Sequence, residues 1–584
     1  MNMVATRARV AGSRAAAAFL ALAIALVVGL VPHLALAQNR VTDTPLPIAS
    51  DGSAVAWTSE IGKGAMMSQT VVDGNFAYFC VGSSFSEEAP AKYANKIVQV
   101  RLDDGAVTKT ADIPAIDFGC RPEVVNGVIY VPLPNGVMTA IRANDLSTLW
   151  TSAVPEGETS DSVWSAQGHN AENSIYYDAA SKLLISATVH FDAEYKGDAG
   201  CVYAVNSETG DVAWATGLDK AGFYWGGATV VDGNVLIGDT AGYVHRFDVE
   251  TGEELTGFDC GTEINSDVVA YGSKGAIVVD RAGVLHSLTI DPEMGLTQVG
   301  TVQANRFCKA APTIVGNNAF VCGNDGSNAS LSVIDLAELK VVSTVNRYTA
   351  SNGNVEYIPV SADSAPVVSV HSGETYVYFT ANYGAGPDAS YTSYKKGGTM
   401  YGLKLGDRTA YILYDPVSGK DANYCMNSPA FDSKGFIYYM NDSGFVTRMN
   451  KGITMYRLYN PNSGEHFYTK NVGERDAVIA AGWTYEGVGW IAPATGQSVY
   501  RLYNSIAGEH HYTLSMTERD YLIAAGWTYE GVGWVSSERQ AVPLYREYNP
   551  NQWSCNHNYT RDYFEHTQLI KIGWKDEGIA WYGV

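Results

Sequence analysis

The chain of 584 residues carries 39 basic and 61 acidic side chains, a formal net charge of −22, 59 glycines, 37 tyrosines and 20 prolines. It is long enough for several cores, and its acidity leaves no basic footprint for a phosphate backbone, so nucleic acid is set aside as a partner. The Tyr- and Gly-rich, Lys-poor composition favours β structure.

At the amino terminus Arg7, Arg9 and Arg14 precede an apolar run from Ala15 to Val31, then Pro32 and the small-residue pattern Ala35-Leu36-Ala37. That order predicts a secretory signal over 1–37, cleaved after Ala37. An uncleaved anchor is the alternative, because the run is slightly long for a signal core. Removing 1–37, which holds three arginines and no acid, takes the net charge from −22 to −25. The mature protein is then secreted or cell-surface, with no further stretch apolar enough to span a bilayer. Residues 38–53 read as a linker.

From 54 to 452 one phrase recurs: apolar strand, tight Gly turn, second strand, variable loop, third strand, turn, fourth strand. Its first hairpins include TVVDGNFAYFCVG (70–82), EVVNGVIYVP (123–132) and ATVVDGNVLIGDT (228–240). Asp-Gly and Asn-Gly between β-branched runs are hairpin signals, and eight units spaced by roughly 40–60 residues predict an eight-bladed β-propeller. The eighth unit stops after FVTRMN (445–450), one strand short. AVAWTSEIG (54–62) matches the outer-strand phrase DVAWATGL (211–218) with its Trp in register, so 54–62 is predicted to close the ring and hide both edges.

In such a meander the long connections share one face. Here that face carries Tyr93, Phe191, Tyr195, Tyr357, Tyr383, Tyr391 and Tyr394, and loops on a rigid scaffold commonly carry function. Arg121, Trp164, Trp225, Lys309 and Asp363 fall near the mouth of the central channel and are the candidate ligand-binding residues there. Seven cysteines map to the same face. An exported chain permits disulfides, and Cys80 with Cys120 and Cys308 with Cys322 are the expected pairs. No Cys-x-x-Cys exists, and no metal site is expected.

The phrase ETGDVAW (208–214), preceded by VYAVN (202–206), resembles the pyrroloquinoline-quinone-type propeller repeat, and the resemblance spans 54–452. It implies the fold and says little of function. Quinone-dependent dehydrogenases of this fold carry adjacent cysteines over the cofactor, calcium-binding residues and an Asp base. No two cysteines are adjacent here, so a quinone-dependent alcohol dehydrogenase is the alternative. A nonenzymatic propeller without cofactor, similar to an outer-membrane assembly scaffold, is the preferred reading, although that scaffold's lipid-attachment Cys is missing.

After Gly452 the composition changes. YRLYNPNSGEHFYTKNVGERDAVIAAGWTYEGVGW (456–490) recurs at 500–534 with 25 of 35 positions identical, and a diverged third copy spans 545–581. Each copy reads as strand, strand, helix, strand, which makes 453–584 a small α+β module. Asn471, Ser515 and Asp562 are predicted N-caps with Glu474, Glu518 and Glu565 three residues on, a capping-box pattern; Gly482, Gly526 and Gly573 stop the helices. The segment closely resembles a repeat of uncharacterised function at the C-termini of secreted lysins and lipases of Gram-positive bacteria. That resemblance implies binding to cell-wall or other envelope glycan, with another surface protein as the further candidate partner. His466, His510 and His557 are equivalent, either meeting on a threefold axis or each bonding within its own repeat. Tyr468, Tyr512 and Tyr559, two positions on, read either as a sugar-stacking face or as core.

Overall fold

The computed structural model describes residues 40–42 and 55–583, apart from 118–119, 156–172, 193, 195, 351–353, 372–373, 383–396, 418–419, 450–451, 494–495, 539, 541 and 552–555. The leader reading of 1–37, Trp164, and Tyr195, Tyr383, Tyr391 and Tyr394 lie outside the described residues. No helix among the described residues is long and apolar enough to cross a membrane.

The chain is mainly β. Among the described residues its first part is a propeller-type fold of eight mainly antiparallel sheets, mostly four-stranded, six of them built from consecutive strands. The turns follow from the dipeptides: Asn126-Gly127 and Asp232-Gly233 both hold positive φ (51° and 75°, 48° and 75°), as a two-residue hairpin requires. The last sheet takes its fourth strand from the opposite end of this part: Val55–Glu60 lies antiparallel to Phe445–Met449, with Val55 opposite Met449 and Glu60 opposite Phe445.

The recurring Trp of the outer strand has a physical job. Trp57, Trp150 and Trp214 each lie over a positive-φ glycine in the outer turn of the next sheet, Gly105, Gly210 and Gly252, where a Cβ would come within 2.5–2.6 Å of the indole or its neighbour. The indole N–H groups donate to the carbonyls of Leu102 (2.9 Å), Ser207 (3.2 Å) and Val249 (2.9 Å). The phrase Glu-Thr-Gly-x-x-x-Trp thus encodes both halves of a contact between neighbouring sheets.

The seventh sheet departs from the pattern at both edges. Its seven strands run in the order Val41–Thr42, Val367–His371, Glu374–Ala381, Thr399–Lys404, Ala410–Tyr414, Arg347–Thr349, Val355–Tyr357. The long 348–364 connection therefore contributes to a hairpin added to the outer edge. The 38–53 linker reading needs correction: residues 41–42 form an inner strand, parallel to Val367–His371, with Val41 opposite Val368.

The disulfide expectation is also corrected. No disulfide forms among the described cysteines, so neither Cys80–Cys120 nor Cys308–Cys322 is bridged. Cys308 Sγ donates to the carbonyls of Cys322 (3.1 Å) and Ala310 (3.3 Å), and Cys425 Sγ to those of Met440 (3.2 Å) and Asn427 (3.4 Å). At the equivalent place Ser266 Oγ donates to Val279 O (2.8 Å), and Ser68 Oγ accepts from the Cys80 N–H (2.9 Å). Thiol and hydroxyl serve one purpose there, tying the residue before the first strand to the end of the second. Burial pushes the Cys80 and Cys308 thiols up to about 12, which disfavours the reactive thiolate.

The C-terminal part is three strand–strand–helix–strand units, each a three-stranded sheet with its first strand in the middle. The helices are α1 (Val472–Ala480), α2 (Met516–Ala524) and α3 (Tyr563–Lys571), capped by Asn471, Ser515 and Asp562 and followed by Gly482, Gly526 and Gly573 at φ 95–104°. The capping box is modified. A Thr two residues before each cap receives the cap's backbone N–H and hands its own proton to the Glu: Thr469 to Glu474, Thr513 to Glu518, Thr560 to Glu565. The Glu is thereby turned toward the next repeat.

Candidate functional site

Four of the five predicted mouth residues line one cleft: Arg121, Trp225, Lys309 and Asp363. Arg40 and Asp267 are the further charged residues that line it. Asp267, two residues before the strand Val269–Tyr271, is buried and receives Arg121 Nη1 at 2.9 Å on one oxygen and Arg40 Nη2 at 2.8 Å on the other. Ser174 Oγ adds a donor at 3.2 Å. Burial opposes the charge on Asp267, but the Arg121 and Arg40 guanidinium groups outweigh it and hold its carboxyl below the usual range.

The approach of Asp267 depends on Gly227, where a Cβ would sit 2.6 Å from its Oδ1. Beside it Trp225 adopts φ 57°, a left-handed conformation that costs about 1–3 kcal/mol for a non-glycine residue and that clusters at functional sites. Its indole stacks on Tyr224 (centroids 4.5 Å apart), which meets Phe191 edge-on at 4.9 Å. The Lys309 ammonium lies 5.2 Å from the Trp225 ring and 5.7 Å from Phe307, and burial lowers its pKa. Asp363 accepts from Ser361 Oγ (2.6 Å) and the Tyr424 hydroxyl (2.7 Å). The cleft is thus a charged, aromatic recess whose acids and bases are mostly engaged with one another.

The position just before an inner strand, which marks Trp225 in the sequence, also holds Ser174 and Asp267. Nothing in the sequence marks Arg40. These residues do not fit a quinone cofactor: Arg40 fills the recess, and both oxygens of Asp267 are committed to cations.

In the C-terminal part Tyr468, Tyr512 and Tyr559 are buried to 2% exposure or less, so the sugar-stacking alternative fails and they are core. They meet pairwise at 5.7–5.9 Å, above Trp490, Trp534 and Trp581. Their hydroxyls form a ring of bonds: Tyr468 donates to Tyr559 O (2.8 Å), Tyr559 to Tyr512 O (3.2 Å), and Tyr512 to Tyr468 O (3.5 Å).

The three histidines do not meet. His466 and His557 face Glu486 and Glu577 of their own repeats (3.4 Å each), whereas His510 Nδ1 lies 2.7 Å from Glu465 of the first repeat and its Nε2 3.5 Å from Glu530 of its own. Among the described residues no cluster of three His, Cys, Asp or Glu side chains is placed to hold a metal. Burial, then the Arg457 guanidinium, pulls His466 down to about 3; burial, then His511, does the same for His557.

Residues that the sequence reading passed over form aromatic–cation ladders whose outer rungs, Tyr485 and Tyr529, are exposed. Arg475 sits 4.6 Å from the Tyr456 ring and 5.7 Å from Tyr485; Arg519 stands identically to Tyr500 and Tyr529. Tyr485 and Tyr529 are 38% and 40% exposed.

Residues 198–393 match the family model of outer membrane protein assembly factor BamB, and 454–584 match a domain of unknown function (DUF5648). No curated protein matches the chain. Among solved structures, BamB from Moraxella catarrhalis is 10% identical over 68% of this chain and 97% of its own, with a TM-score of 0.44. Quinohemoprotein alcohol dehydrogenase from Comamonas testosteroni is 12% identical over 66% and 81%, with a TM-score of 0.43. The computationally designed Ika8 protein is 12% identical over 70% and 99%, also at 0.43. The chain combines a BamB-like β-propeller region with a C-terminal domain similar to that family of unknown function.

Proposed function

We propose that the chain is an exported, nonenzymatic binding protein. An eight-bladed ring over 54–452 displays a ligand- or protein-binding cleft, and the repeats over 453–584 hold the protein to cell-wall or other envelope glycan. The observation that carries the reading is the cleft at Asp267, where a buried carboxylate is paired on both oxygens with guanidinium groups, an arrangement suited to recognition. The leader-like amino terminus supports export. For the glycan, the Tyr485 and Tyr529 faces replace the buried tyrosines: they are exposed, flat, and backed by Arg475 and Arg519, which suits stacking on sugar rings.

The test is sedimentation of the full chain with purified cell walls. The double variant Tyr485→Ala/Tyr529→Ala is expected to bind about tenfold more weakly while keeping its fold, since two exposed stacking contacts are lost. Unchanged retention would remove these faces from the binding surface. Quinone- and calcium-dependent dye-linked alcohol oxidation would overturn the nonenzymatic reading.

A further inference from the structure

Among the described residues the seventh sheet carries a further strand beyond its inner strand Val367–His371, and that added strand, Val41–Thr42, is only two residues long. Two kinds of recognition hold it. The backbone is read by the sheet edge: the Val368 N–H donates to Arg40 O at 2.8 Å, and Val41 and Thr42 lie in parallel register with Val368 and Ser369. The side chain is read by Asp267, which belongs to the approach to the fifth sheet, 227 residues away in sequence. The segment therefore spans the channel mouth from one sheet to another.

We propose that the cleft at Asp267 is an acceptor site for an extended peptide carrying arginine, which residues 40–42 fill in cis. This rests on the reading of the cleft as a binding site. A strand added at a sheet edge with a pocket for one side chain is a general way of taking up peptides. The pocket chemistry selects a cation: each oxygen of a buried carboxylate receives one guanidinium nitrogen, and a guanidinium, more weakly hydrated than an ammonium and always charged, suits a buried pair better. Removing Arg40 leaves the Asp267 carboxylate buried with Arg121 as its remaining ion-pair partner, a state that favours uptake of another cation. The segment is covalently joined to Val55 through residues 43–54, so it occupies the site intramolecularly and a free peptide competes only when that link or the guanidinium is removed.

Two forms of the full-length protein test this. In one a protease site is placed within 46–51 and cut after folding; in the other Arg40 is replaced, Arg40→Ala, with the chain intact. The probe is a fluorescent peptide of the sequence of residues 39–44, Asn-Arg-Val-Thr-Asp-Thr, followed by anisotropy. The uncut natural chain is expected to take up little peptide. The cut protein and the Arg40→Ala variant are expected to bind it saturably, and a peptide with alanine in place of the arginine is expected to bind at least about tenfold more weakly. If both forms keep a native near-ultraviolet spectrum and neither binds, or if the alanine peptide binds equally well, the strand is only a structural plug and the proposal fails. Wall retention and dye-linked turnover are read separately, so this failure is distinct from failure of the binding-protein reading.

Discussion

In the first two C-terminal repeats the middle strand buries Leu458 and Leu502 completely, and helix residues Arg475 and Arg519 lie between tyrosines. The third repeat places Glu547 at the leucine position, also fully buried, and His566 at the arginine position. A third difference accompanies these: Phe467 and His511 give way to Asn558. The three replacements find each other. His566 Nδ1 lies 2.6 Å from Glu547 Oε1, Asn558 Nδ2 donates to Glu547 Oε2 at 3.1 Å, and the His566 ring stacks on Tyr545 at 4.5 Å. One repeat has exchanged an apolar contact and an aromatic–cation ladder for a buried polar network. The outer ladder and the inner core thus change together. The glycan face proposed for the first two repeats is missing from the third, where Asp576 stands at the place of Tyr485.

The largest expected effect breaks that network at one point. His566→Ala leaves the Glu547 carboxyl buried without its nearest partner and is expected to cost about 3–5 kcal/mol of local stability. Restoring the pattern of the other repeats, with Glu547→Leu, Asn558→Phe and His566→Arg together, is expected to be neutral or stabilising by about 1–4 kcal/mol, since a well-packed apolar group avoids the desolvation of the buried polar network. Hydrogen exchange of amides in 545–581 of the full chain reads both. A triple variant as damaged as the single one would show that the third repeat has repacked around its polar network.

How much of this was legible follows from the physics of each signal. The Trp57 register was readable because docking an indole on a glycine turn needs both residues at fixed spacing, and the phrase repeats at 150 and 214. The helix caps were readable because capping is local. Strand alternation placed His466 and Tyr468 on one face but not which way it points, so a threefold core was open to reading as a sugar platform. Thiol and hydroxyl are interchangeable in the latch before each first strand, which made Cys308 and Cys322 look like a disulfide pair. Asp267 was within reach of the positional rule that picked out Trp225. Arg40 was not, because a two-residue strand has no periodicity and its partner is set by the closed fold.

A smaller effect concerns pH. Burial raises Glu547 to about 7. A carboxyl raised in the folded state binds its proton more tightly there than in the unfolded chain, so its contribution is fully present below the ordinary carboxyl range and is lost as pH rises through about 7. His466 and His557 act oppositely: held down to about 3, they contribute above their ordinary value near 6.5, and that contribution is lost as pH falls through 3. Between pH 5 and 8 the natural third repeat is therefore expected to lose stability relative to the leucine–phenylalanine–arginine variant. Both proteins should share the loss on acidification below 6. Parallel curves between pH 5 and 8 would mean that Glu547 does not titrate in that window.

The smallest effect sharpens the comparison at the joints between repeats, where each arginine reaches the cap glutamate of another repeat. Arg457 grips Glu565 with two bonds (2.8 and 2.6 Å), and Arg501 grips Glu474 with two (3.0 Å each). Arg546 approaches Glu518 at only 3.5 Å, because His511 Nε2, at 3.1 Å, has taken the same oxygen. The His511 hydrogen bond is also the main reason that Glu518 falls to about 2. All three arginines are partly exposed, which limits each pair to about 1 kcal/mol. Arg457→Met and Arg501→Met are expected to destabilise their joints by similar amounts, and Arg546→Met by less, with the difference at most about 0.5–1 kcal/mol. Replacing His511 by Phe, the residue at this position of the first repeat, frees Glu518 for a two-bond grip. In that background Arg546→Met should cost as much as the other two. If it does not, the weaker joint is set by the backbone of the third repeat, and the competition for Glu518 is incidental.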